Sequence, residues 1–161
     1  MRSVVTIGVY GFTEASFLAA LDEAGVRLLL DVRQRRGVRG SEYAWANSKR
    51  LQAALARAGI AYRHDKELAP TTELRHLQYR EDARLGIGKR SRVELAPAYR
   101  ERYTKEILDR VNLASLVQAL PTDAATALLC VERDPEACHR SLLAERLAAD
   151  HGVSVRHLMP P

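Results

Sequence analysis

Little in the sequence would staple the chain or anchor it. Its 161 residues hold two cysteines, Cys130 and Cys138, too few for a disulfide framework. A reducing, cytoplasmic setting is the expectation that follows. No apolar run approaches the roughly 18 residues of a membrane span, so no membrane partner is expected. Arg2 is not followed by a long apolar stretch and a small-residue cleavage site, so no secretory signal is expected. Lysine is scarce, supplying four of the 25 basic residues and leaving 21 to arginine. With 47% hydrophobic and 28% charged residues the chain is not of disordered composition. One domain over residues 1–161 suits the length.

The net charge is +5, carried by a side chain whose planar fork matches phosphate and carboxylate. Basic residues concentrate in 27–50 and 75–92, whereas 121–151 is acidic on balance. One reading is an anionic ligand or nucleic acid as partner. The other is a compositional bias toward arginine on solvated faces.

Apolar runs at Val4–Val9, Val26–Val32, Ile60–Arg63, Ala125–Val131 and Val153–Leu158 read as strands. Between them lie helical patterns: one capped by Thr13, one opened by Ser48, and one with Pro135 in its first turn behind Asp134. Alternating strands and helices predict an α/β fold, a three-layer, mostly parallel five-stranded sheet flanked by helices and Rossmann-like in the loose sense. Residues 66–120 interrupt the rhythm and read as a helical insertion with basic loops on the same domain. There Glu-Leu-Ala-Pro occurs twice, and Tyr99, Tyr103, Ile107 and Val111 share a helical face.

Three segments carry the candidate chemistry. Cys130 to Arg140 follows a strand and opens a helix, where Cys138 would gain from the helix dipole and from His139 and Arg140 as a nucleophile. Glu132 or His139 would serve as general acid or base. Both cysteines also read as small buried hydrophobes. Nine residues separate Cys130 from Arg140, so the compact cysteine-to-arginine loop of phosphatases is absent. Cys130, Cys138, His139, His151 and His157 form a ligand pool without the paired spacing of zinc sites, and no metal is expected. No cofactor is indicated. The second segment is Asp31-Val32-Arg33 with Arg35, Arg36 and Arg39 and two glycines beyond it. Alternation puts Asp31 and Arg33 on one side, and the loop suits an anion. Tyr43 and Trp45 follow, as a base-stacking surface or as packing on the sheet. The third segment is Tyr10-Gly11. All three fall just after strands, which a parallel sheet gathers at one edge.

The stretches Thr6-Ile7-Gly8-Val9-Tyr10-Gly11, Asp31-Val32-Arg33, Cys130-Val131-Glu132 with Cys138-His139-Arg140, and Val155-Arg156-His157-Leu158 resemble, almost end to end, the uncharacterised family numbered 488 among the domains of unknown function. The resemblance implies a compact α/β domain with Asp31, Arg33, Glu132, Cys138, His139, Arg140 and His157 as signature positions. Many members resemble one another in a proline and a Ser-Arg pair after Asp-Val-Arg. Gln34-Arg35-Arg36-Gly37 stands there instead, which points to a subgroup with its own arginine-rich loop.

Two functions compete. One is an enzyme, a hydrolase or transferase, acting on a nucleotide or nucleic acid. Glu132, Cys138 and His139 would be catalytic, and Tyr10, Asp31, Arg33, Arg35, Arg36, Arg39 and Arg140 would hold the anion. The other is a non-catalytic nucleic-acid-binding module in which the Cys-His-Arg turn is structural.

Overall fold

The strands β1 Ser3–Ile7, β2 Val26–Asp31, β3 Ala61–His64, β4 Ala125–Leu129 and β5 Ser154–His157 form one sheet in the order β3-β2-β4-β1-β5, every pairing parallel. The computed structural model describes residues 1–161, the side chain of Lys89 excepted. The order departs from that of the Rossmann dinucleotide-binding sheet, so the likeness to that fold is one of layers. β4 and its neighbours are buried on both faces, which is why their sequences are continuously apolar rather than alternating.

The helices α1 Glu14–Glu23 and α2 Ser48–Arg57 cover one face. Phe17, Leu21, Leu51 and Leu55 pack there with Ile7, Leu29 and Trp45. The other face is covered by α3 Thr72–Leu85, α4 Pro97–Tyr103, α5 Leu113–Ala119 and α6 His139–His151. Leu74, Tyr99, Tyr103, Val117, Leu143 and Leu147 pack there with Val4, Leu30 and Leu128. Connections moving one way along the sheet (β1 to β2, β2 to β3) use the first face. Those moving back (β3 to β4, β4 to β5) use the second. This is the arrangement that crossovers of a single hand require.

Residues 66–120 are therefore not an appendage. They make the crossover from β3 to β4 and form most of one helical layer. Within them α4 runs into a π-helical turn, Thr104–Leu108, which keeps Tyr99, Tyr103 and Ile107 buried on one side.

Two expectations change in detail. Apart from β3, which ends one residue later than expected, strands end one or two residues sooner than their apolar runs, although hydrogen bonding continues past the ends: Val9 and Tyr10 both donate to the Val131 carbonyl at 2.9 and 3.1 Å. Thr13 caps α1 as expected, through a capping box with Ser16. Pro135, by contrast, opens only a 3-10 turn, Pro135–Ala137, after which Cys138 is extended (φ −141°) and is itself the N-cap of α6. Cys138 thus precedes the helix instead of lying in its first turns.

Candidate functional site

Where β2 and β4 run out, the segments that follow them diverge and leave a cleft of about 670 Å³, within the range of ligand pockets. Its floor is Cys130, Glu132, Cys138 and His139, and one rim is the 33–39 loop with Tyr10. The far wall comes from the β3–β4 crossover: Arg75, Gln78, Tyr79, Arg90, Arg92 and Tyr99. Among the described lining residues are six arginines (33, 35, 39, 75, 90, 92) and one carboxylate, Glu132. Asp31, Glu42 and Asp82 pair with Arg33, Arg90 and Arg92, so the positive charge of the cleft rests on Arg35, Arg39 and Arg75.

The floor is assembled by backbone bonds. The Cys130 amide donates to Ile7 O at 3.2 Å and the Val32 amide to Leu129 O at 3.1 Å, which locks the ends of β1, β2 and β4 together. Gly8 lets β1 approach the turn, since a Cβ there would overlap the Glu132 carbonyl oxygen. His139 Nε2 lies 2.8 Å from Val32 O. A carbonyl can only accept, so Nε2 carries hydrogen and Nδ1 faces the sulfurs, 3.7 Å from Cys130 Sγ and 3.6 Å from Cys138 Sγ. The Cys130 thiol also donates to Glu132 Oε2 at 3.4 Å. The ligating atoms of Cys130, Cys138 and His139 all fall within 4.8 Å of one another. The spacing rules that argued against a metal site do not see this convergence, because the 3-10 turn folds Cys138 back onto the end of β4.

Electrostatics separate the two thiols. Burial pushes the Cys130 thiol well up, and Cys138 and Glu132 add to the effect. Burial also opposes ionisation of Cys138, but hydrogen bonding from Cys130 and the neighbouring His139 and Arg140 overcome it and hold that thiol well below the usual range. Burial would lower His139; Cys138, Val32 O and Glu132 raise it instead.

Arg92 is the hub of the wall. Its guanidinium donates to Asp82 at 2.6 Å, to Glu132 at 2.7 Å and to Ala137 O at 3.1 Å, all buried. It fixes Glu132 and the 3-10 turn at once. Arg75 donates to Gln34 and to the Tyr79 hydroxyl, with donor capacity left over. Arg90 spans the mouth, over the rings of Tyr10 and Tyr43 (5.1 Å to each) and bonded to Glu42 and Arg39 O. Arg35 and Arg39 are exposed on the rim. Among the described residues neither guanidinium has a hydrogen-bond or ion-pair partner.

Of the site residues expected from sequence, Tyr10, Arg33, Arg35, Arg39, Glu132, Cys138 and His139 line this one cleft. Three do not. Asp31 is fully buried beneath it, accepting two bonds of 2.8 Å from Arg33 and one of 2.6 Å from the Tyr62 hydroxyl. Arg36 turns toward Tyr62 at 3.3 Å. Arg140 is fully buried behind the floor, donating to the carbonyls of Glu132 at 2.7 Å and Arg133 at 3.2 Å. Arg140 thus braces the turn through these two carbonyls. Arg33 touches the cleft, but its donors go to Asp31 and, at 2.9 Å, to Ala46 O. Trp45 is buried against Phe17 at 4.9 Å, so packing, not base stacking, is its role.

Sequence reasoning missed Arg75, Arg90 and Arg92 as site residues. Their signal was the basic run at 75–92, but only the crossover's path over the sheet brings it to the strand ends. No helix is long and apolar enough to cross a membrane among the described residues. Among curated proteins and among solved structures, none matches the chain. One family model does, over residues 14–147, so the chain belongs to the family described as Domain of unknown function DUF488.

Proposed function

We propose that the chain is an enzyme acting on a phosphate-bearing substrate, a nucleotide or the end of a nucleic acid. The observation that carries this reading is the set of arginines without a carboxylate partner among the described residues, Arg35, Arg39 and Arg75, facing a floor of thiol, imidazole and carboxylate, the other lining arginines being paired with Asp31, Glu42, Asp82 and Glu132. Phosphate would be met by Arg39 and Arg35 from the rim and by Arg75 from the wall, which keep donors free for it. Titratable and nucleophilic groups gathered in a cleft at the carboxyl end of a parallel sheet are the usual company of an active site. Asp31, Arg33, Arg92 and Arg140 act through others, holding the loops and Glu132 in place.

The test is calorimetric titration with a nucleoside 5′-monophosphate, its parent nucleoside and inorganic phosphate. The expected result is that the nucleotide and phosphate bind and the nucleoside does not, with Arg39→Ala and Arg75→Ala together weakening the nucleotide about tenfold or more, the loss of one to two charge-assisted contacts. Equal binding of nucleotide and nucleoside would sink the reading.

The second reading, a non-catalytic nucleic-acid-binding module, is favoured by His139 and Arg140 being bonded to backbone carbonyls. The two part on Glu132→Gln. Release of phosphate from nucleotides or nucleic-acid ends should fall by two orders of magnitude or so with binding retained if Glu132 is a general acid or base. A module would show no turnover to lose.

A further inference from the structure

The geometry points to a zinc-class metal site on the cleft floor, with Cys130, Cys138 and His139 as its ligands and a fourth position open toward the cleft. The inference stands on ligand geometry and does not depend on what the cleft binds.

A tetrahedral zinc ion sits about 2.3 Å from sulfur and 2.0–2.1 Å from nitrogen, which sets each sulfur-to-nitrogen edge at about 3.6 Å. The two edges here are 3.7 Å from Cys130 and 3.6 Å from Cys138 to the same Nδ1. The three ligating atoms lie within 4.8 Å of one another, so one ion reaches all of them. His139 is oriented as metal-binding histidines are: the ring nitrogen away from the sulfurs donates to a backbone carbonyl, Val32 O, at 2.8 Å. That bond fixes the tautomer and leaves Nδ1 for a ligand.

Donor chemistry narrows the ion. Two thiolates and an imidazole suit a borderline-soft divalent cation, whereas calcium and magnesium take oxygen ligands. Charge also fits a buried location. Two thiolates neutralise a divalent ion, and the nearby Arg92 is already balanced by Asp82 and Glu132. All three ligands line the cleft, and three protein ligands with a position left for water or a substrate oxygen is the pattern of a catalytic rather than a structural zinc. Glu132 Oε2 lies 3.4 Å from Cys130 Sγ. The ligands are rigidly supplied: Cys130 by the end of β4, Cys138 as N-cap, His139 as the first residue of α6.

The full chain, reduced and stripped of metal by a chelator, is titrated with Zn²⁺ against a chromophoric chelator and with Co²⁺ by absorption spectroscopy. The expected result is one Zn²⁺ per chain, and a Co²⁺ form with a thiolate charge-transfer band and the intense visible bands of tetrahedral coordination. Cys138→Ala and His139→Ala should each weaken Zn²⁺ by on the order of 100-fold. Buried substitutions can unfold the chain, so a second readout uses the wild type alone: Zn²⁺ should shield both cysteines from alkylation by iodoacetamide. Less than stoichiometric Zn²⁺ on the reduced wild type overturns the site. So does a weak octahedral Co²⁺ spectrum with both thiols still alkylated, which would place the ion on surface histidines.

Discussion

Asp31 and Arg33 are buried two residues apart, with the carboxylate gripping the guanidinium through both oxygens and taking a third bond from Tyr62. A buried pair of this kind need add little net stability, but removing one partner strands a charge. Asp31→Asn is expected to cost about 3–5 kcal/mol, measured by urea denaturation. A loss under about 1 kcal/mol would mean that the pair does not brace the loop. A steric test concerns Gly8. Adding a methyl group there drives it into the Glu132 carbonyl, and the obstacle is backbone that cannot swing away. Gly8→Ala is expected to cost about 2–3 kcal/mol by the same assay, and to disturb ligand binding on the floor beneath. The pairing of Asp31 with Arg33 was legible, because residues two apart on a strand share a side. Their saturation was not, because Tyr62 and the Ala46 carbonyl arrive from other parts of the chain.

Elements decide which chemistry reaches the cleft. The segment between α3 and α4 is tied across the mouth by Arg90, which lies over two tyrosines and bonds to Glu42 and to the Arg39 carbonyl. Its ion pair is exposed and contributes little to global stability. Its effect should be local: in Arg90→Ala, hydrogen exchange is expected to speed up at 86–94 and 37–43 while the denaturation midpoint stays put. Unchanged exchange in both segments would show that the clasp holds nothing. The helices and strands themselves were readable from periodicity and caps, as at Thr13. The start of α6 was not. Proline after aspartate is an ordinary helix opening, but here it makes a single 3-10 turn, whose carbonyls are taken up by Arg92 and by the Leu95 amide, which donates to Glu136 O at 3.1 Å. Those partners lie some forty residues upstream, beyond the reach of local pattern.

At the scale of the whole molecule, the expectation that remote segments meet at one sheet edge follows from parallel strands, and Tyr10, Arg33, Glu132 and His139 do line one cleft. Strand order was not legible, and with it the role of the crossover as a wall of the site. Folding also leaves a pH signature. His157, at the end of β5, has its ring next to the Thr6 hydroxyl at 2.7 Å, and burial, then Arg140, lower it from its ordinary 6.5. A lowered base is neutral in both states at high pH, but below 6.5 the unfolded chain takes the proton first. Stability from this residue is thus complete above pH 6.5 and falls as the pH drops through the folded value. Urea midpoints from pH 8 to about 5 should decline with a slope that His157→Gln reduces. An identical slope in the variant would remove His157 from the account.

The central claim is that the arginine-lined cleft is where a phosphate-bearing ligand sits. The most direct measurement is amide chemical-shift mapping of the ¹⁵N-labelled full chain titrated with a nucleoside 5′-monophosphate. Saturable shifts confined to 33–39, 75–79, 88–92 and 130–139 are the result the account requires. Shifts elsewhere on the surface, or none at millimolar nucleotide, would contradict it.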